Sequence, residues 1–324
     1  MKIPADLSNA DLIGPTIIPG YDPNDNLTWH PVFIVQCTLP APARYVIKAE
    51  TFSPMKNLER ITQSFLVMAK LYATVTPNLP EQRLLLPQEI ALIRPALDAA
   101  QAAYFDTLPS GPDGIFWFVM EFIDQLDTLK GLAGAPAPRM ARIDRLLDDN
   151  AWRALGRIAV VDFFVNNNDR FDLGSKNPVR HPQNIMIGPK GPVGLDFFDP
   201  WSEYWDLYSK DVPKRERRAM QRGGAERDVG WMGFFLTDPS ERSHGGDRSW
   251  QAFAETVTLE IGDALGFSED RKRIAAKSFL MGMYRGWADL GKTIEQTAWT
   301  QYLCKGEEPS QLRIRKKIVF PEST

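Results

Sequence analysis

Residues 159–200, AVVDFFVNNNDRFDLGSKNPVRHPQNIMIGPKGPVGLDFFDP, hold the side chains best suited to chemistry. Asp169 lies in Asn166-Asn167-Asn168-Asp169-Arg170, directly after an apolar run. Asn184 stands immediately before the apolar Ile185-Met186-Ile187, and Asp196 ends the next apolar run, with Asp199 just beyond. A carboxylate and an amide oxygen form a hard-ligand pair suited to Mg2+, which keeps waters and completes its shell with phosphate oxygens. A further carboxylate nearby could orient a hydroxyl nucleophile or accept its proton. Plainer alternatives exist for each group taken alone. Asn166–Arg170 could be a helix C-terminus running into an Asx-rich turn, and Asp196 could simply cap the segment after it.

Presenting those groups together requires particular elements. Trp152–Val165 carries helical spacing and leads into the Asn-rich string. Asn184–Ile187 and Gly191–Leu195, flanked by Gly-containing turns, read as a hairpin whose open end would bring Asn184 and Asp196 together. Upstream, the run from His30 to Leu39 and the segment Arg44–Lys48 read as two strands around the turn Pro40-Ala41-Pro42-Ala43. From Lys56, Leu58, Ile61, Phe65, Met68, Ala69, Leu71 and Tyr72 recur at helical spacing, and Pro77 and Pro80 close that helix. Residues 87–106 read as a helix or helix pair interrupted at Pro95. Ile115–Met120 is a short apolar strand. After a small-residue connector at 131–138 the chain is mainly helical, over 142–147, 152–165, 202–221, 248–265 and from 270 to about 299. Residues 1–30, with Pro4, Pro15, Pro19, Pro23, Gly14 and Gly20, read as an irregular lead-in. The expected fold class is α+β: a mixed α/β first lobe and a larger, mainly helical second lobe.

Composition narrows the function classes. The 324 residues include 41 acidic and 38 basic side chains, and 44% of the chain is hydrophobic. That length suits two domains or one bilobal one, and that apolar fraction excludes disorder over most of the chain. A formal charge of −3 gives no global attraction to nucleic acid or anionic membrane. Cys37 and Cys304 make no disulfide framework, and three histidines without a CxxC pair argue against zinc. No apolar run is long enough to span a membrane, and the N-terminus lacks a secretory signal's continuous apolar stretch. A cytoplasmic protein is expected, and export as an effector or toxin by a specialised system is compatible with the same features. The basic clusters at 214–218 and 271–273 read as solvated helix faces. The cluster at 313–317 lies in an expected basic tail.

The segment around Asp169 resembles the catalytic core of the protein-kinase-like superfamily. It is most similar to the atypical branch containing actin-fragmin kinase and the phosphatidylinositol 3/4-kinases, with the HipA-like kinases as neighbours. That resemblance implies an N-x-D-R catalytic loop with Asp169 as its aspartate beside Arg170. It implies Asn184 and Asp196 as the Mg2+ ligands, and Asp162 as an acidic position bracing the loop. Tyr45-Val46-Ile47-Lys48 resembles the strand whose lysine contacts the ATP phosphates. Glu59 then stands where the glutamate paired with that lysine is found. Phe118–Ile123 resembles the hinge strand, with Met120, Glu121 and Phe122 around the adenine. These positions keep the family's order across roughly residues 33–200.

Departures from the pattern shape the expected activity. No Gly-rich phosphate loop precedes Lys48. Fifteen positions separate Asp169 from Asn184, so residues 172–183 form an insertion. Phe171 replaces the histidine usual in phosphoinositide kinases, and Asp196 is followed by Phe-Phe. The resemblance implies an ATP- and Mg2+-dependent phosphotransferase with a bilobal kinase-like fold, ATP between the lobes and a protein Ser/Thr acceptor. The expected division is a lead-in at 1–30, a small lobe with hinge at 31–130, a large lobe at 131–312 and a tail at 313–324. A pseudokinase scaffold and an AMP transferase on the same fold are the alternatives.

Overall fold

The computed structural model describes residues 3, 7, 12–17, 32–37, 43–51, 65, 69, 71–76, 78–96, 99, 102–103, 106, 115–164, 167, 170–171, 177–195 and 250–295. The chain divides into two units. One comprises 1–64 and 80–124, the other 65–79 and 125–324. Residues 65–79, expected within the first lobe, thus belong with the second unit.

The first unit is built on a five-stranded antiparallel sheet in the order β1-β2-β3-β5-β4. Its strands are β1 (Leu12–Ile17), β2 (Val32–Cys37), β3 (Ala43–Thr51), β4 (Gln82–Leu84) and β5 (Ile115–Glu121). The expected pair β2 and β3 forms in continuous register, with Val32 opposite Lys48 and Cys37 opposite Ala43. β1 corrects the expectation of an irregular lead-in. It is an edge strand whose register shifts between Ile13 and Thr16, where Pro15 sits. An edge irregularity is one of the few sheet positions that tolerates a residue without an N–H.

Alternation along β3 and β5 sorts the sheet faces. Tyr45, Ile47 and Ala49 join Trp117 and Val119 in a core completed by Leu85, Ile3 and Leu7, with Ile90 packed against it. Ile90 lies on helix α1 (Pro87–Ala96). This helix opens with Pro87 at its first position and Glu89 at its third. Glu89 Oε2 accepts the Leu86 N–H at 2.7 Å, the reciprocal half of a capping box. Glu89 also accepts the Leu7 N–H at 2.6 Å and both Arg83 Nη groups at 2.6 and 2.8 Å. Burial alone would raise this carboxyl. The bonds from Arg83 and from the Leu86 and Leu7 amides outweigh it and hold the group below its ordinary value.

The second unit combines a small sheet with long helices. The sheet has the order β6-β7-β8, from β6 (Asp127–Thr128), β7 (Met186–Gly188) and β8 (Gly191–Val193). The expected hairpin is β7–β8. Asn78 Nδ2 grips its turn, donating to the carbonyls of Lys190 at 2.7 Å and Pro192 at 3.2 Å. The helices are α2 (Ala137–Leu146), α3 (Asp149–Phe164), α4 (Trp250–Leu265) and α5 (Glu269–Glu295). They answer to the spacings read at 142–147, 152–165, 248–265 and 270–299. The helix expected at 202–221 lies outside the described residues.

Glycines set how closely α3 and α5 pack. A Cβ on Gly156 would stand 2.0 Å from the Phe279 carbonyl oxygen, and one on Gly282 would stand 2.1 Å from that of Arg153. Both distances are below any van der Waals contact, so this crossing requires the bare backbone. Trp250 is buried and stacks on Tyr284 with ring centroids 5.5 Å apart. Among the described residues no helix is long and apolar enough to cross a membrane.

Candidate functional site

Within the second unit, the helix α3 that leads into the Asn-rich string carries Asp162 on an otherwise apolar face. Asp162 is fully buried, as are Asn167, Arg170 and Tyr72. A buried carboxylate requires charge and hydrogen-bond partners, and Arg170 supplies both. Its Nε donates to Asp162 Oδ2 at 2.8 Å and its Nη2 to Oδ1 at 2.5 Å, a two-pronged pair. Asn167 Nδ2 adds a bond to Asp162 Oδ1 at 3.0 Å. The Tyr72 hydroxyl also donates to Asp162 Oδ1, and it accepts from Arg170 Nη2 at 3.1 Å and Asn167 Nδ2 at 3.3 Å. The third arm of Arg170, Nη1, donates to the Leu195 carbonyl. One guanidinium therefore ties the residue after Asp169 to the residue before Asp196.

Burial raises the Asp162 carboxyl above its ordinary value, against the pull of the Arg170 guanidinium and the donors around it. Burial, followed by the adjacent Asp162 charge, pushes the Tyr72 phenol well above its own. The phenol is therefore a standing hydrogen-bond donor. The Asn167 N–H donates to the Asp162 carbonyl at 2.6 Å, which shapes the turn off the helix.

Phe171 continues the anchoring. It is buried between Phe253 and Phe279, edge-on to both at 6.1 and 6.0 Å. The residue that departs from the phosphoinositide-kinase pattern thus seats the loop on α4 and α5. A bridge between Phe171 and Val179, and the Arg180 N–H donating to the Arg170 carbonyl at 3.0 Å, close the neck of the expected insertion. Glu260 on α4 accepts the Val179 N–H at 3.3 Å. Beyond the neck, Pro182–Asn184 form a 3-10 turn. The Leu129 N–H docks on that turn, 3.1 Å from the carbonyls of both Pro182 and Ile185. Asn184, half-buried, ends the turn just before β7.

Within the first unit, Lys48 and Met120 share a sheet face. Lys48 pairs with Phe118 and Val46 with Met120, so all four point away from the Tyr45–Ile47–Ala49 core. Glu121 pairs with Tyr45 and falls on the other face. The backbone amides of Glu121 and Phe122, two of the residues expected around the adenine, are engaged inside the unit. The Glu121 N–H donates to the Glu81 carbonyl at 2.9 Å and the Phe122 N–H to the Arg44 carbonyl at 3.2 Å. The Arg44 guanidinium lies over the Phe122 ring, 4.2 Å from its centroid.

The expected residues therefore separate into groups. Lys48 and Met120 are brought to one face, and Asn184 is set at a docked turn. Arg170, expected among the catalytic groups, is buried with its guanidinium on Asp162, Tyr72 and Leu195. Glu59, Asp169 and Asp196 lie outside the described residues. Tyr72 and Asn167 were missed as polar site residues: Tyr72 looked like one more position on an apolar helix face, and Asn167 like one Asn among three. The available signal was Asp162, a lone carboxylate in AVVDFFV that needs a cation within reach. Away from all of these, a cavity of about 490 Å3 opens between α4 and α5, lined by Glu255, Leu259, Lys272 and Lys277 among others.

No protein-family model and no curated protein matches this chain. Among solved structures, the chain is similar to the MAP kinase LmaMPK10 from Leishmania major, at 13% identity and a TM-score of 0.24, over 90% of this chain and 74% of that one. So loose a superposition carries none of the reading that follows.

Proposed function

We propose that the chain is an ATP- and Mg2+-dependent phosphotransferase of the protein-kinase-like kind, acting on a protein hydroxyl. The observation that carries the reading is the buried Tyr72–Asp162–Asn167–Arg170 cluster. It holds the backbone on both sides of Asn168-Asp169 and reaches the residue before Asp196. Phosphoryl transfer needs little covalent help and depends on positioning and charge. A rigid polar knot flanking two carboxylates serves that need. The position of Lys48 on the third strand of an antiparallel sheet supports the same reading, since kinases carry their phosphate-contacting lysine on that strand.

In this reading Lys48 contacts the ATP phosphates and Asp169 orients the acceptor hydroxyl. Asn184 and Asp196 are the hard oxygen donors that would hold Mg2+, and the ion would neutralise charge on the phosphates. The docked 3-10 turn fits such a role, because it fixes the backbone of Asn184. The Glu121 and Phe122 amides are engaged inside the unit, so other backbone groups around them would meet the adenine. Phe171, standing where phosphoinositide kinases usually carry histidine, supports a protein acceptor in preference to a lipid.

Those same engaged amides favour a second reading, a scaffold that binds no nucleotide. One experiment separates the two. Wild type and Asp196→Ala are compared for Mg2+-dependent ATP turnover, with thermal unfolding followed with and without Mg2+-ATP. The phosphotransferase reading predicts turnover and nucleotide stabilisation in wild type. It also predicts loss of turnover in the variant, with an unfolding temperature close to wild type in the absence of nucleotide. Equal turnover in both proteins would remove Asp196 from the metal site, and no nucleotide stabilisation at all would select the scaffold.

A further inference from the structure

Three contacts from residues 72–78 converge on the two backbone segments that flank the proposed catalytic carboxylates. The Tyr72 hydroxyl is bonded to Asp162, Asn167 and Arg170. Thr76 and Tyr72 press on Gly194, where an added Cβ would meet Thr76 Cγ2 at 3.0 Å and Tyr72 Cδ1 at 3.6 Å. Asn78 holds the turn of the β7–β8 hairpin. The helical residues 71–75 are also fixed from α3, where the Arg157 Nε donates to the Val75 carbonyl and its Nη2 pairs with Asp289 of α5 at 2.8 Å.

A cluster of this kind is poorly explained as a source of stability. Desolvating a carboxylate, a guanidinium, an amide and a phenol costs much of what their bonds return, and apolar residues of the same volume often stabilise as well or better. Such networks, fully satisfied, instead hold one arrangement of the groups around them. Here the phenol is the sole hydroxyl of the cluster, and it bonds to all three other side chains. Removing its oxygen leaves the Asp162–Arg170 pair and the packing of Thr76 and the Tyr72 ring on Gly194 intact, but takes away the bonds that tie the loop, and through the Arg170–Leu195 bond the strand end, to that hydroxyl.

We propose that Tyr72 is a positioning residue for phosphoryl transfer: through its hydroxyl the 71–78 segment sets where Asn167 and Arg170 stand relative to Leu195, just past β8. The inference rests on the phosphotransferase reading for its consequence in catalysis, but not for the coupling itself. The helix thereby becomes a control point, because a shift of residues 71–78 would move both segments together.

The test compares Tyr72→Phe with Val75→Ala, a cavity variant at a buried position of the same helix. Hydrogen exchange read by mass spectrometry is combined with steady-state kinetics on the full chain. In Tyr72→Phe, peptides covering 166–171 and 193–196 should exchange at least about tenfold faster, as expected for loss of a hydrogen bond to charged groups. Peptides within 250–295 should be unchanged. In Val75→Ala the two loop peptides should keep wild-type protection. Turnover by Tyr72→Phe should fall about 10- to 100-fold with the KM for ATP held within about twofold, the signature of lost positioning. Wild-type exchange at both loop peptides in Tyr72→Phe, or equal loosening in Val75→Ala, would overturn the coupling. Unchanged kcat with loosened loops would overturn the catalytic role. Absence of turnover in wild type, with the exchange pattern as predicted, would sink the phosphotransferase reading and leave the coupling standing.

Discussion

Glu89 shows how one side chain can organise a unit. Its carboxylate caps α1, pairs with Arg83 and holds the Leu7 amide, although its side chain is only 1% exposed. Its acidity is set below the ordinary value, so the folded state binds its proton less readily than the unfolded chain does. The stability it contributes is therefore fully present above the unfolded-state pKa and is lost as pH falls through the lower folded-state value. Glu89→Gln is expected to cost about 2 to 3 kcal/mol at neutral pH, since it weakens bonds to a charged acceptor. It should also flatten the acid limb of stability against pH. Urea unfolding from neutral to acidic pH checks both, and an unchanged acid limb would contradict the assignment. Nothing in the sequence marks Glu89 for this role. Its partners lie at position 7 and six residues upstream, and no local pattern announces them.

The α3–α5 crossing reverses a familiar rule about helices. Alanine normally stabilises a helix interior over glycine by roughly 0.5 to 1 kcal/mol. At Gly156 and Gly282 the added methyl would overlap a carbonyl oxygen of the facing helix. Gly282→Ala and Gly156→Ala should each destabilise by about 1 to 3 kcal/mol, the usual cost of overpacking. Gly286→Ala should cost less, because its nearest neighbour stands at 3.0 Å. Thermal denaturation of the three variants gives that ranking, and a stabilised Gly282→Ala would contradict the crossing. Elements with strong local patterns were legible beforehand. The runs read as strands at 30–39 and 44–48 form β2 and β3, and the hairpin near 186–193 and the described helices α2 to α5 form where they are expected. β1 was hidden by Pro15, which reads as a strand breaker until an edge position accommodates it. β6 spans two residues, too few to carry a period.

For the molecule as a whole, the legible features were those set by neighbours in the chain. Mixed α/β structure with small sheets, followed by long C-terminal helices, follows from hydrophobic period and turn residues. The candidate site depends on long-range pairing: Tyr72 meets Asp162 across 90 positions, and Arg170 meets Leu195 across 25. Asp162 as a bracing acid was visible in the sequence. Its phenol partner was not, because a tyrosine on an apolar helix face has the same pattern whether its oxygen faces solvent or a buried carboxylate. The proposed activity concerns a group transferred, and that group can be weighed. Mass spectrometry of a protein acceptor, or of the chain itself, after incubation with Mg2+-ATP should find a gain of one phosphoryl group on a hydroxyl residue. The gain should be lost when Asp169→Asn replaces the wild type. Addition of AMP in place of phosphate, or an equal phosphoryl gain with Asp169→Asn, would contradict the account.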